Sequence, residues 1–329
     1  WVRPMLTEIA IAAGVVWLSW WEVDQLGLVA EQLAVRMPPL AAAAVVVPTD
    51  VLHATLLSHV VLMALMVAAS LIDVDEKMIP DAITVPGTIA GLVLAIALPW
   101  SLLPQIDLLP QVPPLAITLA LTDGRPAVFP PVGQVTFSSL NLAAPGDWPA
   151  TLHGGRPGSL ALGVGCFWLW CFALMPRPWY GRHGWLRGWQ VLLARLGRAT
   201  CSGRMIILEV AGTAVVMATW LVGGHRWAAL LTALVGLVGA GGVVWAVRLI
   251  GAATLRKEAM GFGDVTLMMM IGTFLGWQTS LVIFFLAPFA GLVIGLLQWI
   301  LVRDQIIPYG PFLCLAAAGT TVWWAHVWN

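Results

Sequence analysis

Long apolar runs, separated by short polar segments, recur along almost the whole chain. A run of about 20 apolar residues can cross a bilayer as an α-helix, because the helix satisfies its own backbone hydrogen bonds. From this pattern we predict an all-α polytopic membrane protein with about nine membrane-spanning helices. The predicted spans are approximately residues 5–20, 51–72, 82–100, 158–175, 205–222, 227–247, 264–275, 280–301 and 309–327.

Two longer segments interrupt the apolar pattern. Residues 101–157 are polar and proline-rich, with short alternations of apolar and polar positions at 127–129 and 134–137. We predict an extracytoplasmic insertion there that contains a small β-hairpin. Residues 176–204 are rich in arginine and tryptophan, which predicts a basic cytoplasmic loop. An interfacial amphipathic helix and a plain positively charged loop both fit that composition. We treat residues 1–329 as a single membrane domain.

Composition narrows the functional classes. The chain is 60% hydrophobic and 10% charged, far from the average for soluble domains. Its 16 basic residues equal its 16 acidic residues, so we expect no nucleic-acid-binding surface. The four cysteines contain no Cys-x-x-Cys pair, and we therefore expect no metal site and no disulfide framework.

The positions of the basic residues predict an orientation in the membrane. If Arg3 is cytoplasmic and the spans alternate, only Arg36, Arg125, Arg156 and Arg226 fall outside, which leaves twelve of 16 basic residues inside. This is the bias of the positive-inside rule. The same alternation places Asp73 and Asp264 on the cytoplasmic side.

The sequence Gly261-Phe262-Gly263-Asp264 opens the seventh predicted span. A carboxylate at the mouth of a membrane segment is costly, so Asp264 is a candidate functional residue. Two glycines before it allow a sharp turn or the close approach of another chain. Taken alone, Asp264 would also fit an ordinary helix N-cap.

A second acidic group follows the second predicted span. It consists of Asp73, Asp75, Glu76 and Asp81, with Pro80 before the last of these. Taken alone, Asp73 would be a charge at a helix end, and the other three would be solvated loop charges. Together with Asp264, however, the group supplies a second carboxylate on the same predicted face.

Two carboxyl groups and one water molecule can hydrolyse a peptide bond. One carboxylate takes a proton from the water while the other, protonated, donates to the carbonyl oxygen. Two carboxyl groups that hold one water molecule between them share one proton, because both cannot be charged at such close range. A transporter or assembly scaffold, with Asp73, Glu209 and Asp264 as ion or proton sites, is the non-enzymatic alternative.

Three blocks of the sequence resemble the prepilin leader peptidases of type IV pilus systems. Residues 70–81, around Asp73, are similar to the first signature of that family. Residues 257–265 are similar to its Gly-x-Gly-Asp signature and include Lys257, Glu258, Gly261 and Gly263. Residues 307–312 resemble a third block near the C-terminus, and these blocks with their flanking spans cover roughly a third of the chain.

The resemblance implies an aspartic endopeptidase in the bacterial inner membrane with its active site facing the cytoplasm. Asp73 and Asp264 would be the catalytic pair, supported by Gly261, Gly263, Lys257, Glu258, Pro80 and Asp81. Its substrates would be prepilins and pseudopilins, which lose a short basic leader while their hydrophobic helix stays in the lipid bilayer. From charge alone, we predict that Asp75 and Glu76 attract that leader.

The sequence also departs from the family pattern. The paired Cys-x-x-Cys motifs of bifunctional bacterial members are absent from these 329 residues, and Thr266 stands where many relatives have lysine. We therefore predict no metal and no cofactor for proteolysis. S-adenosylmethionine is expected only if the methyltransferase activity of the bifunctional members is retained. An alternative, a Gly-x-Gly-Asp protease of the presenilin sort, lacks its usual Tyr-Asp motif here.

Overall fold

The structure is a computed structural model of the chain. It describes residues 2–30, 32, 47–108, 119–120, 126–127, 135–174, 203–255, 260–301 and 308–328. Two predicted site residues, Lys257 and Glu258, lie outside the described residues. Most of the predicted basic loop, residues 176–202, lies outside them as well.

Helices dominate the described part of the chain. They are α1 (Val2–Ser19), α2 (Thr49–Glu76), α3 (Asp81–Ala97), α4 (Pro157–Ala173), α5 (Gly203–Val222), α6 (Gly224–Leu255), α7 (Phe262–Leu301), α8 (Gly310–Val322) and α9 (Trp324–Trp328). Four stretches among them are long and apolar enough to cross a membrane: Thr49–Glu76, Met205–Val222, Gly224–Thr254 and Phe262–Val293. α3, α4 and α8 are shorter apolar helices. The predicted mainly helical fold, with several candidate membrane spans, is confirmed at this level.

Helix α7 reverses direction at Gly276. This residue has φ 81° and ψ 171°, a conformation that glycine adopts far more easily than other residues. Tyr309 lies near Asp264 at the start of α7, whereas Phe312, three residues later, contacts Gly291. A straight helix would separate residues 264 and 291 by about 40 Å. The two arms of α7 therefore form a hairpin and correspond to the predicted seventh and eighth spans.

The first arm of α7 packs closely against α6. A Cβ atom on Gly236 would overlap the carbonyl oxygen of Gly272, and a Cβ atom on Gly272 would overlap that of Gly236. Glycine at both positions lets the two backbones touch, as is common where membrane helices meet.

Helix α6 is longer than predicted. The segment from 248 onward was expected to be a connection, but α6 continues to Leu255. No proline interrupts residues 248–255, and their apolar and small side chains extend the helix without a stop signal. Arg248 consequently lies on a helix, where its guanidinium carbon is 5.7 Å from the ring centre of Phe262.

The insertion contains antiparallel strands. β1 (Pro104–Leu108) pairs with β4 (Val135–Ser139), and β2 (Leu119–Ala120) pairs with β3 (Pro126–Ala127). Its base rests on the turn of α7, because the side-chain Nε2 of Gln278 donates to the carbonyl oxygen of Asn141 at 2.8 Å. The extracytoplasmic location of this segment stays a prediction.

A buried hydrogen-bonded pair connects the turn after α1 to α2. A π-helical turn, Trp20–Asp24, follows α1 and carries Glu22, which lies beyond the predicted end of the first span at residue 20. Glu22 is 1% exposed, and its Oε1 lies 2.6 Å from Nδ1 of His59 in α2. The helical path therefore continues past the predicted end of the first span and turns the carboxyl group of Glu22 toward α2.

Candidate active site

Asp73 lies in the last turn of α2, close to one end of the helix bundle. Its side chain is 6% exposed. α2 ends at Lys77, whose left-handed conformation (φ 55°) closes the helix with a hydrogen bond from its N–H to the carbonyl oxygen of Asp73. The C-terminal end of a helix disfavours a negative charge, so the Asp73 carboxylate needs stabilisation from elsewhere.

Asp264 lies in the first turn of α7 and is 8% exposed. A helix N-terminus favours a carboxylate, and the backbone amide of Gly261 adds a hydrogen bond to it. The carboxyl groups of Asp73 and Asp264 are close enough to interact electrostatically. The fold therefore brings together two acids that are far apart in the sequence.

The stabilising donor for Asp73 comes from α8. The backbone N–H of Gly310, the first residue of that helix, donates to Oδ2 of Asp73 at 3.1 Å. Ser70, one turn before Asp73 in α2, lies beside the buried thiol of Cys314, one turn after Gly310 in α8. Asp73 thus faces the N-terminus of α8 as Asp264 faces that of α7, and each carboxylate lies at a helix end of favourable polarity.

Ile79 packs between the segments that carry the two acids. It follows the end of α2 and is 7% exposed. A Cβ atom on Gly263 would lie 3.0 Å from Cβ of Ile79, and a Cβ atom on Gly310 would lie 2.9 Å from its Cδ1. Both glycines therefore make room for the same side chain, which holds the three segments in contact.

The remaining predicted site residues lie around the buried pair. Gly261, Asp75, Glu76 and Asp81 are exposed, and Pro80 is half-buried as the residue before α3. Asp81 occupies the first turn of α3, where a negative charge is favourable. The structure does not bury these acids with Asp73 and Asp264. Their predicted attraction for a basic leader stays a prediction, and Lys257 and Glu258 lie outside the described residues.

Sequence reasoning missed the parts of the site that come from other segments. Gly310, Tyr309 and Ile79 all lie within the resembling blocks, yet none was assigned a role. The contribution of Gly310 is a backbone N–H, which every residue except proline carries, so its sequence position alone gives no signal. Thr266, where relatives have lysine, is buried and bonds only within its own helix through Oγ1 to the carbonyl oxygen of Gly263.

Metal chemistry receives no support from the described residues. No group of three or more His, Cys, Asp or Glu side chains in that part of the chain could hold a metal ion. The groups that the site does supply are two buried carboxyl groups, backbone N–H donors and a phenol at Tyr309 that the Asp264 carboxylate influences. Such a set can take a proton from water and donate one to a carbonyl oxygen. Fold and site together define a helical membrane protein with a candidate aspartic acid–base centre.

The comparisons with known proteins agree with this class. Residues 204–296 match the model of the Type IV leader peptidase family. The family resemblance noted in the sequence is confirmed for this part of the chain. Asp264 lies inside the matched segment and Asp73 lies outside it.

Several relatives are named prepilin leader peptidase/N-methyltransferase. The protein of Aeromonas salmonicida is 32% identical over 105 residues, which are 31% of this chain and 33% of the relative. That of Pseudomonas aeruginosa is 31% identical over 104 residues, again 31% of this chain and 33% of the relative. That of Legionella pneumophila is 34% identical over 76 residues, 22% of this chain and 26% of the relative.

These matches are partial. The chain matches about a third of the length of the curated relatives from Aeromonas and Pseudomonas. No solved structure matches the chain.

Proposed function

We propose that the protein is a membrane aspartic endopeptidase that removes the basic leader of type IV prepilins or pseudopilins. The observation that carries the proposal is that Asp73 and Asp264 are both buried at the ends of two different helices, in segments that pack on the same Ile79 side chain. A proton-sharing pair of carboxyl groups is what water-mediated peptide hydrolysis requires. The family match around Asp264 and the names of the relatives support the same substrate class.

In the proposed reaction, a water molecule lies between the two carboxyl groups. The ionised carboxylate removes a proton from the water as its oxygen attacks the scissile carbonyl carbon. The protonated carboxyl group donates its proton to the carbonyl oxygen, which gives a neutral tetrahedral intermediate. Proton transfer to the leaving amine then allows the C–N bond to break. Acid–base help of this kind contributes about 10²–10⁴-fold to the rate.

The placement of both acids near helix ends favours a peptidase over a transporter. Asp73 is in the last turn of α2 and Asp264 in the first turn of α7. A leader that precedes a membrane-embedded helix emerges at one membrane face, where a site at helix ends can reach it. An ion pathway would instead call for acids deep within the bundle.

The proposal places the site at the cytoplasmic face of a bacterial inner membrane, in a chain of about nine spans. The acids near the pair, Asp75 and Glu76, would attract the basic residues of the leader. Lipid covers the outer surface, as indicated by exposed apolar side chains on α5 such as Ile207 and Val222, each 68% exposed. Proteolysis by two carboxyl groups needs no cofactor. Methylation with S-adenosylmethionine would accompany it only if this chain shares the second activity in its relatives' names.

Substitution of the two aspartates tests the proposal. Asp73→Asn and Asp264→Asn should each lower the rate of leader removal from a co-expressed pseudopilin by at least about 10²-fold, because asparagine cannot transfer the proton. Asp147→Asn, at an exposed position of the insertion, is the control and should keep full activity. Asp75→Asn should raise KM with little change in kcat. Full cleavage by either the Asp73 or the Asp264 variant would refute the dyad.

A further inference from the structure

The turn before α8 lies close to both acids of the candidate dyad. Gly310 donates its backbone N–H to Oδ2 of Asp73, and the Asp264 carboxylate acts electrostatically on the phenol of Tyr309. Two neighbouring residues therefore face the two acids. No other described backbone N–H outside α2 is seen to bond the Asp73 carboxylate.

The space around Gly310 leaves no room for a side chain at this position. A Cβ atom at this position would lie 2.5 Å from Oδ2 of Asp73, nearer than two such atoms can approach. Any side chain would therefore have to push the carboxylate aside, even if the N–H stayed in place. The same Cβ atom would also meet Cδ1 of Ile79 at 2.9 Å, at the end of a side chain that can move.

The hydrogen bond also fixes the direction of the carboxylate. Oδ2 accepts the amide hydrogen bond, and Oδ1 takes no part in it. A carboxylate held by one N–H cannot rotate freely about its Cβ–Cγ bond without losing the donor. An aspartate without this donor would sample orientations in which neither oxygen is aimed at the water.

We propose that Gly310 is a positioning residue for Asp73: its N–H and its missing side chain together fix the carboxylate in the orientation needed for catalysis. This inference rests on the proposed peptidase function. Gly310 does not touch the substrate in this proposal and acts only through Asp73. The C-terminal block around residues 307–312 then becomes the third part of the site, besides the two acidic segments.

Gly310→Ala tests the proposal, with Gly319→Ala in the same helix as the matched control. A Cβ atom on Gly319 would meet only Trp323, at an ordinary 3.6 Å. In proteoliposomes with a purified pseudopilin, Gly310→Ala should lower kcat by about 10²-fold and leave KM within about twofold, because a displacement of about 1 Å has that effect on rate. Gly319→Ala should match the parent protein in both constants.

A second variant separates positioning from simple misfolding. Ile79→Val removes Cδ1 and so relieves the contact between residue 79 and a new Cβ atom at residue 310, but it leaves the clash with Asp73. Gly310→Ala combined with Ile79→Val should therefore recover the thermal stability of Ile79→Val alone while kcat stays about 10²-fold low. Recovery of both stability and kcat in the double variant would mean a structural role and overturn the inference.

The remaining outcomes are also distinct. If the parent protein cleaves the leader and Gly310→Ala cleaves it equally well, the positioning role fails and the proposed function stands. If the parent protein leaves the leader intact in an assay that a known prepilin leader peptidase passes, the proposed function fails first, and this inference fails with it.

Discussion

Glu22 and His59 form a fully buried pair, with 2.6 Å between the carboxylate Oε1 and the imidazole Nδ1 and no exposed surface on either side chain. The pair joins the turn after α1 to α2, fourteen residues before Asp73 in the same helix. The other two polar atoms, Oε2 of Glu22 and Nε2 of His59, have no hydrogen-bond partner among the described residues. Each side chain therefore depends on the other to offset the cost of its burial.

Removal of one member of this pair should destabilise the protein. Glu22→Ala leaves an unpaired imidazole in the apolar interior, and we expect a loss of about 3 kcal/mol in unfolding free energy. Thermal unfolding in detergent, followed by tryptophan fluorescence, measures it. Glu8→Ala, at an exposed position of α1, should change stability by less than about 0.5 kcal/mol. Replacement of both residues by leucine should recover most of the loss, and equal stability of the Glu22 and Glu8 variants would contradict the role of the pair.

The contact between α6 and α7 predicts a sharp difference between two glycines. Gly272→Ala adds a methyl group that overlaps the carbonyl oxygen of Gly236 and lies 2.6 Å from Cβ of Ala240. We expect a destabilisation of about 3 kcal/mol, since backbone cannot move aside as a side chain can. Gly242→Ala in α6 meets nothing within 4 Å and should unfold at the parent temperature or slightly above it. The same unfolding assay compares the two, and a tolerant Gly272 would show that the helices pack less closely than described.

The turn of α7 should stabilise the insertion that rests on it. Gln278 donates to the carbonyl oxygens of Asn141, Leu142 and Ala144 at 2.8, 3.4 and 3.4 Å. Gln278→Ala leaves these acceptors without that donor and should make residues 101–157 about tenfold more sensitive to limited proteolysis, in line with a loss of about 1 kcal/mol. Thr254→Val, which removes a hydroxyl bonded only within α6, is the control. An unchanged cleavage rate in Gln278→Ala would mean that the insertion is held by other contacts.

The predicted orientation can be tested by labelling from one side of the membrane. Met78, 60% exposed beside the candidate site, and Gly146, exposed in the insertion, should lie on opposite faces. In a Cys201→Ser background, a membrane-impermeant maleimide added to spheroplasts should label Gly146→Cys at once. Met78→Cys should react only after the membrane is permeabilised. Labelling of both positions from the same side would contradict the orientation predicted from the basic residues. It would also contradict the cytoplasmic location of the candidate site.

Some features of this structure could be predicted from the sequence, and others could not. The apolar runs predicted the helices, and the gap between the seventh and eighth predicted spans corresponds to the break inside α7. Gly276 itself was not identified as the turning residue, because glycine is also common within straight membrane helices. Glu22 and His59 gave no joint signal for a similar reason: each is a lone polar residue whose partner is set by how α1 meets α2.

The residues of the candidate site also fall into two groups: those that could be identified from the sequence and those that could not. Asp73 and Asp264 could be singled out because a carboxylate at the edge of an apolar run is costly and therefore unusual. The donor to Asp73 could not, since Gly310 contributes a group that almost every residue has. Ile79 was likewise unremarkable as an apolar residue in an apolar block. Its importance comes from the two glycines that pack on it from other segments.

The close approach of Gly236 and Gly272 also fixes the position of Asp264 relative to α6. A slip of α7 by one residue along α6 would move Asp264 by about 1.5 Å along the axis and turn it by about 100°. A residue with a side chain would then meet the backbone of Gly236, where there is no room for it. The contact with α6 therefore fixes the position of Asp264 along the axis of α7 and the direction in which its side chain points. The contact lies about 12 Å from Asp264 along the helix.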